Sequence, residues 1–143
     1  MSWDVFIMNV PADIVSATEL PDDFSGELGS PEYVLAKLAS IFPSINLTDP
    51  TWGGLDTEDG SIEFNIGSKD PIKTMMLHAR GGNSVIGAIQ MLCDQTGWRA
   101  LDMTTGDFIN FENNPAEGLK QWRSYKDKVI ASYETKKWWQ FWK

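Results

Sequence analysis

Cysteine is nearly missing from this chain: Cys93 stands alone among 143 residues. A single thiol excludes an internal disulfide and a cysteine-built metal site within one chain, and it fits a reducing compartment. Histidine is as scarce. His78 is the only one, so multi-histidine metal centres are excluded too. No stretch of 18 apolar residues occurs, and no membrane-crossing helix is expected. The opening MSWDVFIMNVPAD has no basic region ahead of its short apolar run, so a secretory leader is not expected either. These absences predict a cytoplasmic protein without metal or cofactor, and the lack of eukaryotic targeting features points to a bacterial one.

Positive charge is missing from most of the chain. Residues 1–114 hold 17 acids against 5 bases, a net −12, whereas residues 115–143 hold 3 against 7, a net +4. A body this acidic repels polyphosphate, which excludes general nucleic-acid binding and leaves the basic arm as the segment suited to an anionic surface.

What is present is apolar and aromatic. Hydrophobic residues make up 42%, with seven Trp and seven Phe and no polar low-complexity run, so the chain folds rather than staying disordered. A chain of this length buries roughly two thirds of its unfolded surface and needs no metal or disulfide to do so. Residues 1–135 are expected to form one domain, with 136–143 as a tail.

Periodicity supplies the elements. Trp3, Val5 and Ile7 alternate with Asp4, Phe6 and Met8, so both faces of this strand are largely apolar and the strand is internal. Ala12 to Gly29 is an acidic surface loop pinned by Ile14, Leu20, Phe24 and Leu28. Ser30-Pro31-Glu32 opens a helix that carries Val34, Leu35, Leu38 and Ile41 and stops before Pro43. After a short strand at Ile45 to Leu47, Trp52 to Leu55 and Ile62 to Ile66 read as a hairpin. Ile72 to Arg80 is apolar on both sides and is the candidate for the sheet centre. Val85, Ala88, Ile89, Leu92 and Cys93 then mark a second helix, ended by Gly97. Trp98 to Met103 and Asp107 to Phe111 form a second hairpin, and Asn114-Pro115 begins a long C-terminal helix. This order predicts an α+β fold: a mainly antiparallel sheet of about five to six strands, two packed helices and that C-terminal helix.

Several short elements resemble a small family of uncharacterised bacterial proteins of similar length. They are the opening Ser2-Trp3-Asp4-Val5-Phe6, Asp49-Pro50-Thr51-Trp52-Gly53, His78-Ala79-Arg80-Gly81-Gly82, and Ala100-Leu101-Asp102 with Thr105-Gly106-Asp107. The resemblance spans roughly residues 1–130 and leaves out the aromatic terminus. That family has no established activity. The resemblance therefore implies a bacterial single-domain protein and carries over no catalytic residue.

One local feature invites a ligand. His78-Ala79-Arg80-Gly81-Gly82-Asn83-Ser84 runs from a strand through two glycines into a helix N-terminus, where free amides and the helix dipole can hold an anion. His78 and Arg80 share a face of the strand, Arg80 can clamp a phosphate or carboxylate, and Asp102 can orient His78 as a general base. The plainer reading is a tight turn, a cap from Asn83 or Ser84, and Arg80 paired with a surface acid. The spacing matches neither a phosphate-binding loop nor a dinucleotide fingerprint. Carboxylates at Asp102, Asp107 and Glu112, and at Asp49 and Asp56, suit acid–base or cation chemistry only if they converge, and no calcium-loop spacing occurs. Ser61 and Ser84 lack a nucleophile motif. Cys93 falls on the apolar stripe of its helix, which makes it a buried, inert thiol.

The chain ends KKWWQFWK. On a helix, Trp138, Trp139, Phe141 and Trp142 stand at about 0°, 100°, 300° and 40°, more than half the circumference. Three destinations stay open: packing on its own domain, a protein partner or homodimer, and a membrane surface reached through the tail alone. With no convergent catalytic set, the reading favoured is a non-enzymatic protein-binding protein of immunity or regulatory type. The alternative is a small enzyme or anion-binding domain centred on His78, Arg80, Gly81 and Gly82.

Overall fold

The structure, a computed structural model, describes residues 2–21, 24 and 26–112. The expected C-terminal helix and the tail residues Trp138, Trp139, Phe141 and Trp142 lie outside the described residues. Six strands form one antiparallel sheet: β1 (Trp3–Met8), β2 (Asn46–Asp49), β3 (Trp52–Thr57), β4 (Gly60–Asn65), β5 (Thr74–Gly81) and β6 (Arg99–Asp102), in the order β2-β3-β4-β5-β1-β6. Helices α1 (Pro31–Ile41) and α2 (Ser84–Thr96) complete the α+β architecture.

Both helices pack on one face of the sheet, which we call the inner face. The register decides which residues face them. Trp3, Val5 and Ile7 of β1 stand opposite Ala79, Leu77 and Met75 of β5, and all six are fully buried. Ile62 and Phe64 of β4 continue this layer, and Val34 and Leu38 of α1 with Val85, Ile89 and Leu92 of α2 close it from above. The intervening residues of each strand point to the outer face. There Val10, Leu101 and Phe108 form a second, smaller cluster, with Phe6, Met8, Ile14, Ala17, Leu20 and Phe24 packed against it. Hence β1 is apolar on both sides for a reason: it lies between β5 and β6 and is covered twice.

Local chemistry sets the boundaries. Ser30 Oγ accepts the Tyr33 amide at 3.2 Å and Pro31 occupies the first turn of α1. At the end of α2, Gly97 takes φ 78°, a left-handed conformation that lets its amide reach the Cys93 carbonyl at 2.8 Å. The acidic stretch after Pro11 holds a short 3₁₀ turn (Ala17–Glu19), whose Glu19 carboxylate accepts the Val15 and Ser16 amides. Leu28 and Gly29 are tied to Ile72 by backbone bonds, which fastens the end of that stretch beside β5.

Two sequence expectations change in detail. β5 begins at Thr74, and Ile72 is buried outside the strand through its bridge to Gly29. Residues 107 and 108 make only isolated bridges, to Ser16 and Leu101, so the second hairpin is reduced to β6 and a bridged return. β5 and β6 are both antiparallel to β1 and so run the same way. α2 therefore links two parallel strands with β1 inserted between them.

Candidate functional site

The glycine turn after β5 brings its parts to two different places. Gly81 takes φ 110°, a conformation that glycine tolerates without strain, and turns the chain toward α2 on the inner face. The N-terminus of that helix is not open. Asp59, from the β3–β4 turn, places its carboxylate there and accepts the Ser84 amide at 3.1 Å and the Ser84 hydroxyl. In return the Asp59 amide donates to Ser84 Oγ at 3.1 Å, and the Gly82 amide donates to the Asp59 carbonyl at 3.0 Å. A side chain at position 82 would collide with the Asp59 carboxylate. Gly82 is thus explained by the close approach of a carboxylate from this chain, which takes the position an anion would fill. Bonding to the Ser84 hydroxyl, then to backbone amides, holds the Asp59 carboxyl below its ordinary range. Asn83 sits at the cap without a side-chain bond.

Asp102 is also engaged elsewhere. It pairs with Val5 across β1–β6, so its side chain follows Val5 to the inner face. There it is 3% exposed and accepts the Trp3 indole N–H at 3.0 Å and the Thr104 amide at 2.8 Å. His78 and Arg80 stand on the outer face. Strand parity therefore separates Asp102 from His78 by the thickness of the sheet.

The partner of His78 is Asp4, directly opposite on β1. Nδ1 lies 2.8 Å from Asp4 Oδ1, and because a carboxylate can only accept, this nitrogen carries the proton. Ser2 Oγ donates to the same carboxylate oxygen at 2.6 Å. The Trp52 indole, reaching across from β3, lies on the imidazole with centroids 5.7 Å apart and planes at 17°. Arg80 pairs with Glu63 at 3.0 Å; both are more than 40% exposed, a surface pair contributing at most about 1 kcal/mol.

These side chains make rows across the outer face. Gly54, Glu63, His78 and Asp4 stand abreast on β3, β4, β5 and β1; beside them run Trp52, Asn65, Met76 and Phe6; beyond, Asp56, Ser61 and Arg80. Trp52 is 39% exposed. The row through Met76 and Phe6 runs into an open concavity of about 950 Å³, walled by the loop from Gly67 to Lys73. Sequence reading singled out His78 and Arg80 but missed Asp4, Trp52 and Glu63. Period-two alternation placed Asp4 on the face of β1 opposite Trp3, but only the pairing register brings it to His78.

The remaining candidates stay apart. Asp49 accepts the Thr51 hydroxyl and then its amide, which lowers its carboxyl below the usual range. Asp107 and Glu112 are exposed. Among the described residues no three His, Cys, Asp or Glu side chains gather to hold a metal ion, and no helix is long and apolar enough to cross a membrane. Cys93 packs partly buried against the core, and burial, with Asp94 adding to it, pushes its thiol up to about 12. No protein-family model, curated protein or solved structure matches the chain.

Proposed function

We propose that this is a non-catalytic bacterial binding protein of regulatory or immunity type, which recognises a basic protein partner through the outer face of β3, β4, β5 and β1. The observation that carries this reading is Trp52. Its indole is exposed yet held flat against an imidazole that Asp4 fixes from behind, so the ring presents a rigid face to solvent without further ordering. Tryptophan in such a position is the residue type most enriched among interface hot spots. Asp56 on β3, Glu63 on β4 and Asp4 on β1 share this face with one base, Arg80, paired to Glu63, so the rows carry a net −2 that complements a basic partner. The geometry around His78 offers a second use, since its Nε2 has no partner among the described residues. Yet the hydroxyl nearest its ring, Ser2 Oγ at 3.5 Å from Nδ1, donates to Asp4, and the Glu63 carboxylate opposite it on β4 is bonded by Arg80. The helix N-terminus that would complete an anion site is occupied by Asp59.

The test places a photo-crosslinking amino acid at Asp56 in the full chain, expressed in the native cells. One dominant adduct to a basic protein is expected, reduced at least about tenfold by Trp52→Ala, as befits a hot spot. An adduct unchanged by Trp52→Ala, an acidic captured protein, or no adduct overturns the reading.

A further inference from the structure

We infer that the outer face around Trp52 has a second, internal occupant: the basic arm of the same chain, residues 115–143, whose Lys136-Lys137-Trp138-Trp139 segment docks there and competes with the partner. This rests on the reading of that face as a binding surface and adds a regulation to it.

Charge is the first argument. Residues 1–114 are −12 and the arm +4. The rows of the outer face carry Asp4, Asp56 and Glu63 against Arg80, a net −2, with Lys69, Asp70 and Lys73 at the adjoining concavity. Lys136 and Lys137 are adjacent, and so are the strands of Asp56 and Glu63, β3 and β4, while Asp4 lies beyond β5 on β1. Shape is the second. Gly54 stands next to Trp52 on β3 with open space where a side chain would project, leaving a notch between the indole, Asp56 and Glu63. Met76 and Phe6 extend the same surface as partly exposed apolar side chains that lead into the concavity by the 67–73 loop. A lysine pair followed by flat aromatic rings matches acids bordering an apolar floor, through ion pairs at the rim and stacking or cation–π contacts at Trp52.

Reach is the third. The described chain ends at Glu112, just beyond β6, and Trp52 lies four strands away, about 19 Å at the usual interstrand spacing. The stretch from Glu112 to Lys136 spans about 36 Å even as a helix, so the arm covers that distance in any regular conformation. Tethering also supplies an effective concentration in the millimolar range, so a contact of only about millimolar affinity is occupied much of the time. Such a contact yields to a partner that binds more tightly.

The experiment uses the purified full chain alone, as an equal mixture of unlabelled and ¹⁵N-labelled protein. A zero-length carbodiimide joins lysine amines to carboxylates in contact, and mass spectrometry maps the links. Links from Lys136 or Lys137 to Asp4, Asp56 or Glu63 are expected within single-isotope chains. They should fall about tenfold in 1 M salt, where the screening length shrinks to about 3 Å, and in the full-length Trp138→Ala/Trp139→Ala/Trp142→Ala variant. Links confined to the 12–29 loop, links joining the two isotopes, or no links overturn the proposal; the mixed-isotope result would assign the face to a second copy. Because no partner is present, this outcome is independent of the capture at Asp56. The two assays meet in one further result: the triple variant should capture several-fold more partner, and unchanged capture would remove the competition.

Discussion

Trp3 and Asp102 carry the most instructive polar contact of the core. Both are buried, and the indole N–H satisfies a carboxylate that would otherwise lose a partner away from water. Trp3→Phe removes that donor and some volume, and should lower stability by about 2–3 kcal/mol in urea unfolding. Because Asp102→Ala removes the acceptor of the same bond, the double variant should lose clearly less than the sum of the single losses. Additive losses would show that the bond contributes nothing. Cys93 gives a second expectation at this scale. With its thiol near 12, only about one molecule in ten thousand is thiolate at pH 8, so an aromatic disulfide reagent should react at least about 100-fold faster after denaturation than in the native protein. Equal rates would mean the thiol is open. That Cys93 turns toward the core was legible from its place on the helical stripe, although it is partly rather than fully buried. That Asp102 serves Trp3 rather than His78 was not, because strand parity at Asp102 depends on its pairing with Val5.

At the scale of elements, α1 was readable from its stripe and its Ser30 cap, α2 from its stripe and the Gly97 that ends it, and β4 from the alternation of Ile62, Phe64 and Ile66. What the sequence of α2 concealed was its cap, because the capping group comes from a turn 25 residues earlier. The Asp59 carboxyl is held low in the folded protein, so its contribution is present above the ordinary carboxylate range and is lost as pH falls through the lowered folded value. Asp59→Asn should therefore lower the Tm most at neutral pH, with the loss shrinking as pH falls below the ordinary carboxylate range; a loss that does not shrink with acid would exclude the charge. Two glycines of the same segment should respond in opposite directions. Gly82→Ala meets the Asp59 carboxylate and should destabilise, whereas Gly87 lies exposed within α2 with open space at its Cβ. Gly87→Ala should stabilise by about 1 kcal/mol, as removing a glycine from a helix interior does.

The whole molecule is a sheet with unequal faces. The inner face carries a continuous core under two helices, while among the described residues the outer face is covered only at the β1–β6 end, where residues 10–21 and 24 lie down. Sequence alone anticipated the antiparallel sheet and the hydrophobic pins Ile14, Leu20 and Phe24. It did not distinguish the covered half of the outer face from the open half, since Phe6, Met76 and Trp52 are all apolar and their coverage depends on what folds over each. The two clusters should also separate in stability. Val10, Leu101 and Phe108 hold the 10–24 stretch to β6, together with the Phe108 amide on the Val15 carbonyl at 2.8 Å and the Ala17 amide on the Gly106 carbonyl at 3.2 Å. Phe108→Ala removes the largest side chain of that small cluster and should cost about 3 kcal/mol locally. In native-state hydrogen exchange, the amides of Ala17 and Phe108 should then lose protection by about 100-fold, the rate equivalent of about 2.7 kcal/mol or more of easier opening. The β4–β5 amides, anchored in the inner core by Phe64, Leu77 and Ala79, should keep theirs. Equal loss in both regions would mean that the outer cluster opens only with the whole sheet, and that the 10–24 stretch is part of one cooperative unit with the inner core.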